Sequence, residues 1–383
     1  MGTRIDEGQL QRIRDTVQGD IERGRYWGTS IKIAHGGEVV LDMAAGWADR
    51  DRTQEIATDT VFSILSVTKA FINVLTLRAI EQGRFALTTR MSDLIPEYSG
   101  APRDEATIFH FLTHTTGVSA LWEMRPGMPM DDLSEAVAAV CAVALGSNPP
   151  GTRCDYSPMA NHVLLGEALR RTDPAHRAIG DILREDLFEP LGMGDTALGI
   201  KDHMRARHAV PDFRGTVPIR HLSSQRAGDN ALFEVESHEA VWMGGASTTS
   251  DLLAFADALR RGGVSAHGAR ILSPRTVQLA RRNHTGDLPN ELYKAVALRN
   301  GYEVPPAYMG LGFSVRGERI VRHQFGTLTT PETFGNYGAG SSLYWIDPEL
   351  DLVFVALSAG LLSQAENIAR FQTLSDLAVA AVN

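Results

Sequence analysis

The 383-residue chain carries a formal net charge of −9, with hydrophobic residues at 43% and charged residues at 22%. This is the balance of a globular protein with a large core, and the length exceeds that of one simple domain. The acidic balance argues against nucleic acid or an anionic membrane as partner, and no segment is long and apolar enough to span a bilayer.

The opening residues have no apolar leader, which gives the expectation of a cytoplasmic protein. Apolar spacing predicts an amphipathic helix over 6–24, with Leu10, Ile13, Val17 and Ile21 on one face. Alternation around Gly36-Gly37 predicts a β-hairpin over 29–47. A helix is expected from Ser66 to about Gln82, stopped by Gly83. Helical patterns then dominate, over 133–145, 159–171, 178–190, 250–262 and 274–283. Strand patterns return at Leu311–Val315, Arg319–His323, Ser341–Ile346 and Leu352–Leu357, followed by a helix over 363–382. Strands at both ends with helices between imply an α+β fold with one antiparallel sheet built from both termini and flanked by helices. On this reading residues 1–75 and 305–383 form the sheet domain, 76–304 an inserted, mainly helical domain, and the active site lies in the cleft between them.

Two further residue types bound the chemistry. Cys141 and Cys154 read as reduced core residues. His110 and His114 are four apart without a carboxylate or third ligand at metal spacing, so they read as packed or hydrogen-bonded histidines. No metal or organic cofactor is expected.

The four lysines, Lys32, Lys69, Lys201 and Lys294, stand out among 37 basic residues. Arginine cannot give up its proton in a protein, whereas a buried lysine can. In Ser66-Val67-Thr68-Lys69, a helix beginning at the serine puts the amine one turn on and on the same face. A serine beside a deprotonatable amine is an activated nucleophile. The Ser-x-x-Lys pattern also arises by chance as a solvated helix pair, so its neighbours downstream carry the decision.

Several stretches do so together: Phe62–Lys69, Phe111–Gly117, Pro150–Ser157, Leu187–Met193, Gly244–Leu252 and Phe334–Gly340, followed by Trp345-Ile-Asp-Pro348. In this order, and over nearly the whole chain, the sequence resembles the class C β-lactamase superfamily of serine hydrolases. That superfamily includes the family VIII carboxylesterases and related acyltransferases. The resemblance implies a β-lactamase/transpeptidase-like fold. It implies Ser66 as nucleophile, Lys69 and Tyr156 as a proton-shuttling pair, and an oxyanion hole from the backbone N–H groups of Ser66 and Ala339. An ammonium near Tyr156 would favour its phenolate. Which of Lys69 and Tyr156 is the base stays open, since such a pair titrates as a unit.

The sequence departs from the β-lactamase pattern at two recognition positions. Asn336-Tyr337-Gly338 stands where those enzymes carry a Lys-Thr-Gly-like run, and Pro158 where Tyr-x-Asn would place an asparagine. Both losses remove contacts to a β-lactam and leave the nucleophile, shuttle and oxyanion hole intact. The expected function is a carboxylesterase acting on small to medium esters, with a small-molecule acyl donor as partner. An acyltransferase passing the acyl group to an alcohol or amine is the alternative. An amidase or D-peptidase, a β-lactamase and a non-catalytic binding protein rank below these. Trp122, Asn336, Tyr337 and Gly338 are the candidate substrate contacts, though Trp122 could equally pack down the Met-rich loop that carries it. Phe233, Trp242 and Met243 either line the far wall of the cleft or belong to the core.

Overall fold

The computed structural model describes residues 5–120, 124, 131–211, 235–339 and 341–382; Trp122 and Phe233 lie outside the described residues. Its strands, in chain order, are β1 (Gly28–His35), β2 (Glu38–Gly46), β3 (Val61–Ser63), β4 (Ala197–Leu198) and β5 (His208–Ala209). They continue as β6 (Gly245–Ser247), β7 (Ser314–Val315), β8 (Phe334–Gly338), β9 (Ser342–Asp347) and β10 (Leu352–Ala359). The main sheet has the order β2-β1-β10-β9-β8-β7 and is antiparallel throughout. Residues from the two ends of the chain thus meet at the β1–β10 pair, from Gly28 opposite Ala359 to His35 opposite Leu352. The β1–β2 turn is Gly36-Gly37, both with positive φ (61° and 87°), the geometry that matches strand twist in a tight hairpin.

Helices cover both faces, which is why β10 reads as a continuous apolar run buried at every position. On one face the helices Glu7–Glu22 and Gln364–Ala380 pack Leu10, Ile13, Val17, Phe371 and Leu374 against Ile31, Trp345 and Phe354. Both are capped by side chains: Asp6 accepts from Gly8 and Gln9, and Ser363 forms a capping box with Glu366. On the other face the helices Thr68–Glu81 and Thr249–Arg260 join Val353, Val355 and Leu357 in the larger core. A second small sheet, β4-β6-β3-β5, lies beside the start of the Thr68–Glu81 helix.

The structure corrects the strand expectations near the C-terminus. Leu311–Val315 contributes only β7, because Gly312 (φ +86°) breaks the extended run where the Asn73 amide reaches the Gly312 carbonyl at 2.6 Å. Arg319–His323 is not a strand at all. There the buried Arg316 guanidinium donates to the carbonyls of Gly317, Arg319 and Thr327, tying the backbone on both sides of this segment to one side chain. A helix over Glu291–Arg299, capped by Asn290, is also present without having been expected. Cys141 and Cys154 are buried free thiols. Among the described residues no helix is long and apolar enough to cross a membrane.

Candidate active site

Strand β3 delivers the chain into a 3-10 turn, Leu65–Val67, and the Thr68–Glu81 helix begins directly after it. Ser66 therefore sits in the turn that leads into the helix. Leu65 is held at φ +46°, a left-handed conformation that costs a leucine about 1–3 kcal/mol and persists only where the surroundings enforce it. They do so here. The Ile64 amide donates to the Gly245 carbonyl (2.9 Å), and Thr68 Oγ1 donates to the Leu65 carbonyl (2.6 Å) while accepting from the Gly245 amide (2.9 Å).

The Thr68–Glu81 helix is buried around most of its circumference, and Lys69 goes in with it, only 2% exposed. Its Nζ lies 2.9 Å from Ser66 Oγ and 2.7 Å from the Trp242 carbonyl. Neither partner is an anion, so nothing opposes desolvation, and burial pushes the Lys69 amine down to about 7. Burial thus favours the neutral amine, in contact with the hydroxyl it would have to deprotonate.

Tyr156 approaches the same serine from another element, the segment between the Pro150-Gly151 turn and the Ala160–Arg171 helix. Its phenol is acted on by the Ser66 side chain, and the Lys69 Nζ stands 5.5 Å from its ring centre. Burial pushes the phenol up to about 12, with the Ser66 hydrogen bond working against it. This is opposite to the phenolate expected from a neighbouring ammonium. The reason is that Lys69 is itself driven toward neutrality by the same burial, so its charge cannot offset the loss of water around the phenol.

His114 fixes Tyr156 in place. Its carbonyl accepts from the Asp155 amide (2.9 Å) and its Nδ1 from the Ser157 amide (3.0 Å), so both neighbours of Tyr156 are bound to one residue. Its ring lies 4.8 Å from the Tyr156 ring, tilted by 31°. An accepting Nδ1 requires the neutral tautomer protonated on Nε2. Burial, then the charge of Lys69, pushes His114 down to about 3, which keeps the ring neutral. His110 takes a different duty, accepting the Thr107 amide at a helix start (3.0 Å). The two histidines are packed and hydrogen-bonded as expected, and among the described residues no metal-holding cluster of His, Cys, Asp or Glu occurs. The clamp on Tyr156 was missed from sequence. The Phe111–Gly117 stretch marked its location but not its purpose.

The edge strand β8 passes close to the nucleophile turn. A Cβ on Gly338 would stand 2.5 Å from the Ile64 carbonyl oxygen and 3.2 Å from the Ser66 nitrogen, so a glycine is what permits the approach. Ala339 follows at the end of β8, partly buried against the larger core. Asn336 has its amide committed internally: Nδ2 donates to the Gly312 carbonyl (3.0 Å) and Oδ1 accepts from Tyr344 (2.7 Å). It acts as a strut of the edge strand. Tyr337 packs against Tyr293, with ring centres 5.9 Å apart. Trp242 and Met243 are core residues, and Trp242 meets the site only through the carbonyl that accepts from Lys69.

The Beta-lactamase family model matches residues 13–378. Penicillin-binding protein 4 of Amycolatopsis lactamdurans is 26% identical over 270 residues, covering 68% of this chain and 67% of that protein. Esterase EstB of Burkholderia gladioli is 27% identical over 287 residues, covering 67% and 71% respectively. Among solved structures, EstCE1, described as a hydrolase with promiscuous acyltransferase activity, superposes with a TM-score of 0.77 at 21% identity. That match covers 96% of this chain and 98% of EstCE1, and it speaks for the fold. With a family match running almost from end to end, the chain belongs to the beta-lactamase family, within the serine-hydrolase superfamily that its motifs resemble.

Proposed function

We propose that the protein is a serine hydrolase that forms an acyl-enzyme on Ser66 and acts on carboxylic esters. The observation that carries this reading is the Ser66 hydroxyl held between a buried, carboxylate-free amine at 2.9 Å and the Tyr156 phenol. Neutral Lys69 takes the Ser66 proton as Oγ attacks the ester carbonyl. The developing oxyanion is met by the N–H groups of Ser66 and Ala339, each worth ~3 kcal/mol in comparable sites. Collapse breaks the bond from the acyl carbon to the alkoxy oxygen, and the proton reaches that oxygen through Tyr156. Water then attacks the acyl carbon, the same pair taking its proton, and the bond from that carbon to Ser66 Oγ breaks as the proton returns to Oγ, releasing the acid. Lys69 is the base on this account, because at neutral pH it is the group with an available lone pair, whereas the phenol keeps its proton.

The name of EstB, an esterase, supports an ester as the substrate. Asn336-Tyr337-Gly338 offers no cation for a drug carboxylate, which weighs against β-lactam hydrolysis. The description of EstCE1 keeps transfer to an alcohol or amine as the second reading. Intact-protein mass spectrometry after p-nitrophenyl butyrate tests both. The expected result is a butyryl adduct, absent in Ser66→Ala, that water discharges within seconds to minutes. An adduct stable in water and discharged by an alcohol or amine would make the protein a transferase. No adduct, or one that persists in Ser66→Ala, would overturn the assignment.

A further inference from the structure

Beside Tyr156 the molecule has a pocket whose remaining walls come from β8, the C-terminal helix and the stretch from Asn290 to Gln324. Tyr337 and Tyr293, their rings at 55° to each other, form one side, and Pro306 and Met309 extend the apolar surface. Arg322 stands on the same pocket with its guanidinium 4.1 Å over the Tyr302 ring. It is exposed and, among the described residues, takes part in no ion pair; the carboxylate of that wall, Glu303, is bound to Arg319 instead. Stacking on an aromatic face orients a guanidinium while leaving its N–H edge for a two-oxygen acceptor. The pocket thus offers flat aromatic surface near Tyr156 and an unclaimed positive charge at a distance from it.

The position of Tyr156 says which half of an ester belongs here. The group leaving the acyl carbon must receive a proton, so it lies against the residue that passes the proton on. We propose that this pocket binds the alcohol half of the substrate, and that this half is an aromatic hydroxyl compound carrying a carboxylate. Its ring lies against Tyr337 and Tyr293, and its carboxylate meets Arg322. Ser66 Oγ bonds to the acyl carbon, the bond from that carbon to the aryl oxygen breaks, and the Ser66 proton ends on the departing phenol. This inference rests on the acyl-enzyme reading of Ser66.

The test compares two esters that share an acyl group and differ in charge, 4-carboxyphenyl butyrate and 4-carbamoylphenyl butyrate. The ratio of their kcat/KM values should favour the carboxylate by about tenfold or more, as one charge-assisted contact provides. The ratio should fall toward one in Arg322→Gln and shrink with added salt. A wild-type ratio near or below one, or a ratio unchanged in Arg322→Gln, overturns the proposal. The wild-type comparison stands even if the variant does not fold. If p-nitrophenyl butyrate acylates Ser66 and the carboxylate ester shows no advantage, the pocket assignment alone fails. If no ester acylates Ser66, the reading of the site fails with it.

Discussion

The wall that carries Ser66 and Lys69 is a 3-10 turn running into a helix buried along nearly its whole length, held by the Gly245–Thr68 contact and approached by the edge strand at Gly338. The wall of the neighbouring pocket, from Asn290 to Gln324, has one short helix and the two-residue strand β7 and is otherwise irregular, with partly exposed tyrosines and an exposed arginine. The first wall is buried, which is what an amine needs if it is to lose its proton near neutrality. The second is wet and chemically particular, which suits the choice of substrate. On the proposed function, chemistry falls to the first wall and the choice of substrate to the second.

Substitutions should respect this division, and each tests it. Ser66→Ala removes the attacking oxygen and should lower kcat by at least about 10³-fold in steady-state ester hydrolysis, with the circular dichroism spectrum unchanged. Gly338→Val drives β8 away from the Ile64 carbonyl and the Ser66 amide. It should cost about 10²-fold in kcat, the scale of losing one oxyanion donor, with a smaller change in KM. His114→Ala frees Tyr156 and leaves the buried Ser157 amide unpaired. It should lower kcat about tenfold and stability by about 1–3 kcal/mol in urea unfolding, and a loss of stability without a loss of kcat would mean that the clamp matters only to the fold. On the pocket wall, Tyr293→Ala should act mainly on KM for aryl esters, raising it roughly three- to tenfold while kcat falls by less. A collapse of kcat in Tyr293→Ala would erase the distinction between the walls.

The same division governs what could be read from sequence. The terminal helices were legible from their apolar stripes, as with Leu10, Ile13 and Val17. Lys69 drew notice as one of four lysines among many arginines, but it was the ordered set of family-like motifs that marked Ser66, Lys69 and Tyr156 together. The small sheet was not legible, since strands of two or three residues are too short for alternation to register. Arg319–His323 read as a strand because nothing local reveals that Arg316 will bind the Arg319 carbonyl. The left-handed Leu65 and the hold of His114 on Ser157, 43 residues away, are tertiary facts with no local signature. A tyrosine on the Glu291–Arg299 helix was likewise invisible as a pocket wall until the helix was placed beside β8.

The central claim is that Lys69 reaches neutrality near pH 7 and is the base for Ser66. Its most direct test is the pH dependence of the single-turnover acylation rate with p-nitrophenyl butyrate. A lysine depressed to about 7 is increasingly the free amine as pH rises, so the rate should climb through pH 6–8 and level off above, with one inflection near 7. A rate still rising tenfold per pH unit beyond pH 9 would point to a base near its ordinary lysine or phenol range, and would contradict the account.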